Sequence, residues 1–285
     1  MTSTQQSGTQ VPAQQAGPAS ADAELKAKHR TMWGLGNYAS VASDVIAATG
    51  PALVEATGIG PDDRVLDIAA GSGNASFPAA ATGAEVVASD LSPVLLDLGR
   101  AQDSDSLISW EEGDAEALPY VDASFDAVIS CVGIMFAPHH QAAADELLRV
   151  SRPGAKIGLL SWTPEGFIGQ MFATMKPYAP PPPPGAQPPP LWGSEDHVRE
   201  LFGDQVEDVV ATKRRLHVDR FDSAGEFREF FKARYGPTIA IYKANAADPE
   251  RCAALDRDLD ALADRYGAAG GSMEWEYLVL TARRR

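Results

Sequence analysis

Asp67 stands inside a short apolar run, Val65-Leu66-Asp67-Ile68-Ala69-Ala70, that stops in Gly71-Ser72-Gly73-Asn74. A buried strand running into a glycine turn and then a helix lets the backbone come close to a ligand. In a doubly wound sheet, ligands sit beyond the carboxyl ends of the strands. A second carboxylate, Asp90, closes the next apolar run, Glu85–Asp90. A third, Asp114, follows the run Leu107–Glu111 within Glu112-Gly113-Asp114-Ala115. Three successive strand ends thus offer one hydrogen-bond acceptor each.

Two cofactors compete for such a loop. A dinucleotide favours GxGxxG, so that its pyrophosphate meets the helix N-terminus, but Ser76 occupies the third glycine position. Asp90 is placed for ribose hydroxyls in either case. Asp67 separates the two, because a carboxylate in the turn repels a pyrophosphate and suits the cationic amino-acid end of S-adenosylmethionine. A purely capping role for Asp67 explains neither Asp90 nor Asp114, whose carboxylate can accept from an adenine amino group.

Methyl transfer from a sulfonium is an in-line displacement, so the protein must align the nucleophile and exclude water. A carbon or phenol nucleophile also calls for a base. His139 and His140, after the fourth strand, are the candidates; in the alternative reading they stand at the exposed start of the next helix, which His139 caps. Met135, Phe136, Trp162, Phe167, Tyr178 and Trp192 read as substrate-pocket wall or core, and no carboxylate cluster suggests a metal. Ser130-Cys131-Val132-Gly133 is not the Asn/Asp-Pro-Pro-aromatic pattern of enzymes that methylate base or glutamine nitrogens, which leaves a small organic acceptor.

The elements that must position these residues follow from hydrophobic patterning. Glu24 onward reads as helical through Tyr38, then Val41 to Ala56 as a second helical stretch closed by Gly58. Strands are predicted at 64–70, 85–90, 107–111, 125–131 and 156–162, with helices at 74–81, at 93–101 behind Ser92-Pro93, and at 140–150 before the Arg152-Pro153-Gly154 turn. This alternation implies a parallel sheet with helices on both faces. Beyond Trp162 come the proline-rich residues 177–190, a strand at 209–218, helices at 224–235 and 249–266, and a late alternating strand from Met273. The proline segment reads either as a rigid connector or docking ligand, or as a stiff lid flanked by Tyr178 and Trp192. Residues 1–22 are expected as a disordered tail and 23–285 as one domain, with N-terminal helices (23–60), a cofactor-binding core (61–165), a substrate or lid region (166–272) and a final strand (273–285).

Over about residues 30–165 the chain resembles the class I S-adenosylmethionine-dependent methyltransferases, and among them the ubiquinone and menaquinone biosynthesis branch. The resemblance implies an α/β, doubly wound Rossmann-like sheet of seven strands with the last antiparallel. Asp67, Ala69, Gly71 and Gly73 match the motif around the methionine part. Asp90 and Leu91 match the ribose and adenine positions, and Asp114 and Ala115 the adenine edge. Cys131 falls where the fourth strand delivers backbone to the cofactor, and Asn37-Tyr38 resembles the segment that closes over it. Arg149–Gly154 resembles the turn before the fifth strand. Ala69 replaces the first glycine of the broadest motif, as in the quinone branch, and Ala155 replaces a second glycine after Pro153-Gly154. Beyond Trp162 the pattern offers no match.

With 39 acidic against 24 basic residues, the net charge of −15 excludes the usual nucleic-acid binder, whose basic surface must displace counterions. Lys213-Arg214-Arg215 and Arg283-Arg284-Arg285 read as strand-edge or tail charges. Two widely spaced cysteines give neither a disulfide framework nor a zinc site and fit a reducing cytoplasm. The absence of basic residues before Lys26 argues against a signal peptide, and no apolar run reaches membrane-spanning length. Two other readings stand beside methyl transfer: an NAD(P)-dependent oxidoreductase on the same sheet, and a binding module that recruits partners through the proline segment.

Overall fold

The computed structural model describes residues 18–285. Its centre is a single seven-stranded sheet of β1 (Arg64–Ile68), β2 (Glu85–Asp90), β3 (Ile108–Glu112), β4 (Phe125–Cys131), β5 (Ser151–Trp162), β6 (Val206–Val218) and β7 (Met273–Arg284). The strand order is β3-β2-β1-β4-β5-β7-β6. The strands β1 to β5 run parallel, while β7 lies antiparallel to both β5 and β6 and is inserted between them. The last strand is antiparallel, as the resemblance implied. Because the order reverses between β1 and β4, a crevice opens at their carboxyl ends.

Covered on both faces, β1 has Val65, Leu66 and Ile68 wholly buried, which is why its sequence reads as an unbroken apolar run. The helices are α1 (Pro18–Trp33), α2 (Tyr38–Asp44), α3 (Thr49–Thr57), α4 (Ser76–Ala81), α5 (Pro93–Gln102), α6 (His140–Val150), α7 (Phe167–Met175), α8 (Glu195–Phe202), α9 (Ala224–Arg234), α10 (Gly236–Ala244) and α11 (Pro249–Arg265). Gly58 ends α3 in the left-handed conformation, φ +67°, a common helix stop. Ser92 precedes α5 and Pro93 opens it, but the Ser92 side chain makes no capping bond. Its backbone N–H is held instead by Asp90 Oδ1 at 2.8 Å.

Several boundaries differ from expectation. The helix α1 begins at Pro18, inside the stretch expected as tail; residues 1–17 of that expectation lie outside the described residues. Strand β5 starts at Ser151, so Arg152-Pro153-Gly154 lies within its irregular beginning, where the register against β4 shifts. The helices α7, α8 and α10 have no counterpart among the predicted elements. In the region after β5, α7, α9 and α11 pack around an aromatic core in which Phe167 stacks on Trp275 at 5.2 Å and meets Phe227 edge-on at 5.0 Å. Phe167 is therefore core and not pocket wall.

The proline segment is fastened on either side of Pro180–Pro184. The Tyr178 hydroxyl donates to Asp258 at 2.5 Å, the Gln187 N–H donates to the Pro138 carbonyl at 2.9 Å, and Gly185 lies against the His139 ring. The following 3-10 turn, Pro189–Gly193, buries Trp192 against His140 and Phe202, and Gly193 packs on the Trp162 backbone. It is a strap held against the loop after β4, and neither Tyr178 nor Trp192 lines the crevice pocket.

Candidate active site

A pocket of about 820 Å³, part of it open to solvent, occupies the crevice, with Ala69, Gly71, Asp90, Leu91, Asp114, Ala115, Cys131, Tyr38 and Phe136 all in its wall. The turn after β1 shapes its floor. Gly71 has φ +59°, and Ala69 accepts φ +53°, an uncommon conformation for a residue with a Cβ. Gly73 lies behind the pocket wall. A Cβ there would come within 2.6 Å of the Trp110 ring, so this glycine serves packing beneath the turn and not ligand approach.

Asp90 ties the turn to β2. Its Oδ2 accepts the Gly71 N–H at 2.8 Å while Oδ1 accepts that of Ser92. Burial pushes its carboxyl up to about 6, and the two backbone donors limit the rise. Asp67 lies directly below, only 1% exposed. The Ser76 hydroxyl donates to its Oδ2 at 2.6 Å, and Oδ1 is buried with no partner. Burial lifts Asp67 up to about 7, and neighbouring Asp90 adds to the rise. Ser76, which breaks the dinucleotide glycine pattern, is thus the residue that holds Asp67. An orphaned, buried carboxylate oxygen is the feature a cationic ligand would satisfy.

At the other end, α1 covers the pocket. The Lys26 ammonium pairs with Asp114 at 2.9 Å and also with Glu116. Burial pulls Lys26 down, but the hydrogen bonds of Glu116 and Asp114 outweigh it and the pKa is raised. His29, on the same helix, lines the pocket and is held below its ordinary value by burial and then by Lys26. Cys131 lines the wall opposite, its thiol pushed up to about 12 by burial. It is accordingly a neutral hydrogen-bonding thiol, beside Thr49 at 3.3 Å and Asn74 at 3.7 Å.

Residues 66–159 match the family model described as a methyltransferase domain. An uncharacterized protein of Mycobacterium tuberculosis (strain ATCC 25618 / H37Rv) is 50% identical over 270 residues, which is 94% of this chain and 98% of that protein. A demethylmenaquinone methyltransferase of Mycobacterium sp. (strain KMS) is 44% identical over 102 residues, 36% of this chain and 43% of its own. The crystal structure of the YcgJ protein from a Bacillus species shares the fold at TM-score 0.57 and 15% identity, over 84% of this chain and 98% of that one. The chain carries a methyltransferase domain over residues 66–159, and these likenesses support its resemblance to the class I S-adenosylmethionine-dependent methyltransferases. Among the three readings of the sequence, the matches support methyl transfer.

In this methyltransferase the expected base is not where the sequence suggested. His140 is wholly buried, its Nδ1 2.9 Å from His197 Nε2, with burial holding it down to about 4. It faces the strap and not the pocket. His139 is turned to the rim, where its N–H donates to Glu116 at 2.7 Å and its Nδ1 lies 3.0 Å from the same carboxylate. Neither histidine lines the pocket. Met135 is fully buried beneath its neighbours. Of the expected wall residues Phe136 lines this pocket and Trp162 lines a second cavity behind Tyr38. Asp22, Glu116 and His139 bring possible metal-ligand atoms within 4.8 Å of one another, but Glu116 is already engaged by Lys26 and His139. Sequence reasoning missed Lys26, His29 and Trp33, because nothing local marks a helix 88 residues from Asp114 as the cover of its site.

Proposed function

We propose that the crevice pocket holds S-adenosylmethionine and that the chain transfers its methyl group to a small organic acceptor on carbon or oxygen. The observation that carries this reading is the pair of carboxylates that line the pocket, Asp90 and Asp114, with Asp67 buried behind the glycine turn and its second oxygen left unpartnered. In this reading Asp67 attracts the amino-acid ammonium, Gly71 and Ala69 give it backbone room, and Asp90 with Leu91 takes the ribose. Asp114 and Ala115 hold the adenine edge, while Tyr38 and Cys131 face the methyl-bearing end. Bound there, the cofactor supplies an electrophilic methyl group: the acceptor's electron pair bonds to the carbon, sulfur keeps the pair of the broken bond, and the acceptor releases a proton.

The residues around the pocket bind, orient and keep water out; His139 and His140 do not line it, and His29 on α1 does. A quinone-like or secondary-metabolite acceptor fits the local likeness to a demethylmenaquinone methyltransferase. Among the described residues no helix is long and apolar enough to cross a membrane, and both cysteines are free, in keeping with a cytoplasmic enzyme acting on a small molecule. Titration calorimetry with S-adenosylhomocysteine and with NAD tests the donor. Binding of the first and not the second is expected, and the reverse would overturn the assignment.

A further inference from the structure

β6 is one edge of the sheet, bonded on one side by β7, and among the described residues no other strand pairs with it. It is 13 residues long, against 5 for β3 at the opposite edge, and Glu207, Asp208, Val210 and residues 212–215 are exposed. A long open edge is a template for another strand, and proteins that leave one unpaired guard it. Two guards stand here: the cations Lys213-Arg214-Arg215, and a bulge between Glu207 and Val210 where Asp208 takes φ +53°. At the bulge Arg199 Nη2 donates to the Val209 carbonyl at 3.4 Å.

The charges along this edge are ordered, with Glu207 and Asp208 before Ala211 and Lys213, Arg214 and Arg215 after it. Such a strand is complementary to its own reverse. Set antiparallel to a copy about a two-fold axis at Ala211, it brings Val210 opposite the copy's Thr212. Since a bulge places two residues against one, Asp208 and Val209 then face the copy's Lys213, and Glu207 faces its Arg214. The faces agree: Glu207 and Arg214 pair with Arg283 and Tyr277 of β7, which lie on one side of the sheet. Moving the axis one residue either way sets Glu207 against Thr212 or Leu216 instead. Within the chain these charges are weakly engaged. Glu207 lies 3.7 Å from Arg285 and Lys213 lies 3.3 Å from Glu276 and 3.5 Å from Glu165, while Asp208, Arg214 and Arg215 have no ion-pair partner among the described residues.

We infer that the β6 edge is an interaction surface for a second copy of this chain, joined as an antiparallel β6–β6 pair in which Glu207 faces Arg214 and Asp208 faces Lys213 on both sides of the axis. The guards then act as selection, because a foreign strand meets unmatched charge on this edge and the chain's own copy meets matched charge. The axis stands perpendicular to the joined sheet, so the two crevices open toward opposite ends of its strands. The interface thus stands apart from whatever either pocket binds.

Sedimentation velocity of the full chain over about a hundredfold range of concentration should show a monomer–dimer equilibrium that weakens with added salt. Two double variants unbalance the edge, Glu207→Lys with Asp208→Asn, and Arg214→Glu with Arg215→Glu. Each alone should weaken dimerisation about tenfold or more, and an equimolar mixture of the two should restore it as a heterodimer. Melting curves should match the wild type, since the altered side chains are exposed, and they keep loss of folding apart from loss of pairing. A third variant, Ala211→Cys, places a thiol on the axis. Directly opposed residues of an antiparallel pair have Cα atoms about 4.5–5.5 Å apart, within the roughly 4.4–6.8 Å that a disulfide spans, so mild oxidation should cross-link this variant and not the wild type. A wild type that stays monomeric throughout, double variants that pair no better mixed than alone, or an Ala211→Cys chain that does not cross-link overturns the interface.

Discussion

At the scale of single residues, the buried carboxylates decide how the site responds to pH. Asp67 is pushed up to about 7 and Asp90 to about 6, both above the ordinary 3.8, so the folded protein holds protons that the unfolded chain has released. Their contribution to stability is therefore present at low pH and is lost as pH rises through 6 and 7. His140, held down to about 4, acts in the opposite sense: its contribution is present above pH 6.5 and is lost as pH falls toward 4. Asp67→Asn should raise ligand-free stability at pH 8 by on the order of 1–3 kcal/mol and flatten the slope between about pH 5 and 7. Urea unfolding at several pH values measures both, and an unchanged slope would show that another group titrates. The same substitution should weaken S-adenosylmethionine, since it removes the charge that attracts the ammonium. Asp90 carries structure as well as binding. Asp90→Ala removes both acceptors of the Gly71 and Ser92 N–H groups, so melting temperature should fall together with donor affinity, the latter by about 1–3 kcal/mol. Calorimetry on Asp90→Ala and Asp90→Asn checks this; full affinity in either folded variant would remove Asp90 from the donor site.

At the scale of elements, α1 is a cover latched by charge. Lys26 pairs with Asp114 and Glu116, Arg30 donates to the Leu91 carbonyl at 2.9 Å, and Trp33 meets Phe136 and Tyr38 edge-on. Lys26→Met should loosen this latch, so that stopped-flow fluorescence records faster donor association and dissociation while the affinity changes by less than about tenfold. Unaltered rates would mean that α1 does not gate entry. The proline strap predicts the contrary pattern. Replacing Pro180–Pro184 with Gly/Ser should cost stability, at about 0.4–1 kcal/mol per proline through the unfolded chain, and leave donor affinity unchanged. A large loss of affinity at unchanged melting temperature would place the strap in the site. These two elements also mark the limit of legibility. β1 to β4 and their turns were readable because the apolar runs and the Asp67, Asp90 and Asp114 positions are local signals. The burial of His140 depends on Trp192 and His197, more than 50 residues away, and no spacing within the histidine pair foretells it. The helices α7, α8 and α10 are only 8 or 9 residues long, so their packing, α7 on α11, α8 on α6 and α10 on α9, outweighs any pattern their own sequence carries.

At the scale of the whole molecule, the last strand of the chain is an interior strand of the sheet, paired on both sides. β7 pairs with β5 from Lys156↔Arg283 to Trp162↔Tyr277 and with β6 from Val206↔Arg284 to Val218↔Met273. Without it β5 would end as an open apolar edge and β6 would have no partner, because β6 meets the sheet only through β7. The same strand brings Trp275 to the cavity wall, where it packs against Trp162, Phe167, Phe227 and Phe231. The donor half and the half after β5 are thereby joined through one sheet, and α10 adds a second tie where Gly236 packs on the Met32 backbone of α1. Calorimetric unfolding of the full chain should show one transition. A donor analogue at about 100 times its dissociation constant adds roughly 2.7 kcal/mol to the native state and should move that whole transition upward. Ending the chain at Ser272 should leave no cooperative unfolding by circular dichroism and no S-adenosylhomocysteine binding, although every residue of the donor pocket is retained. If the truncated chain instead melts cooperatively and binds the analogue, the donor half folds by itself, and β7 is not what holds the donor pocket together.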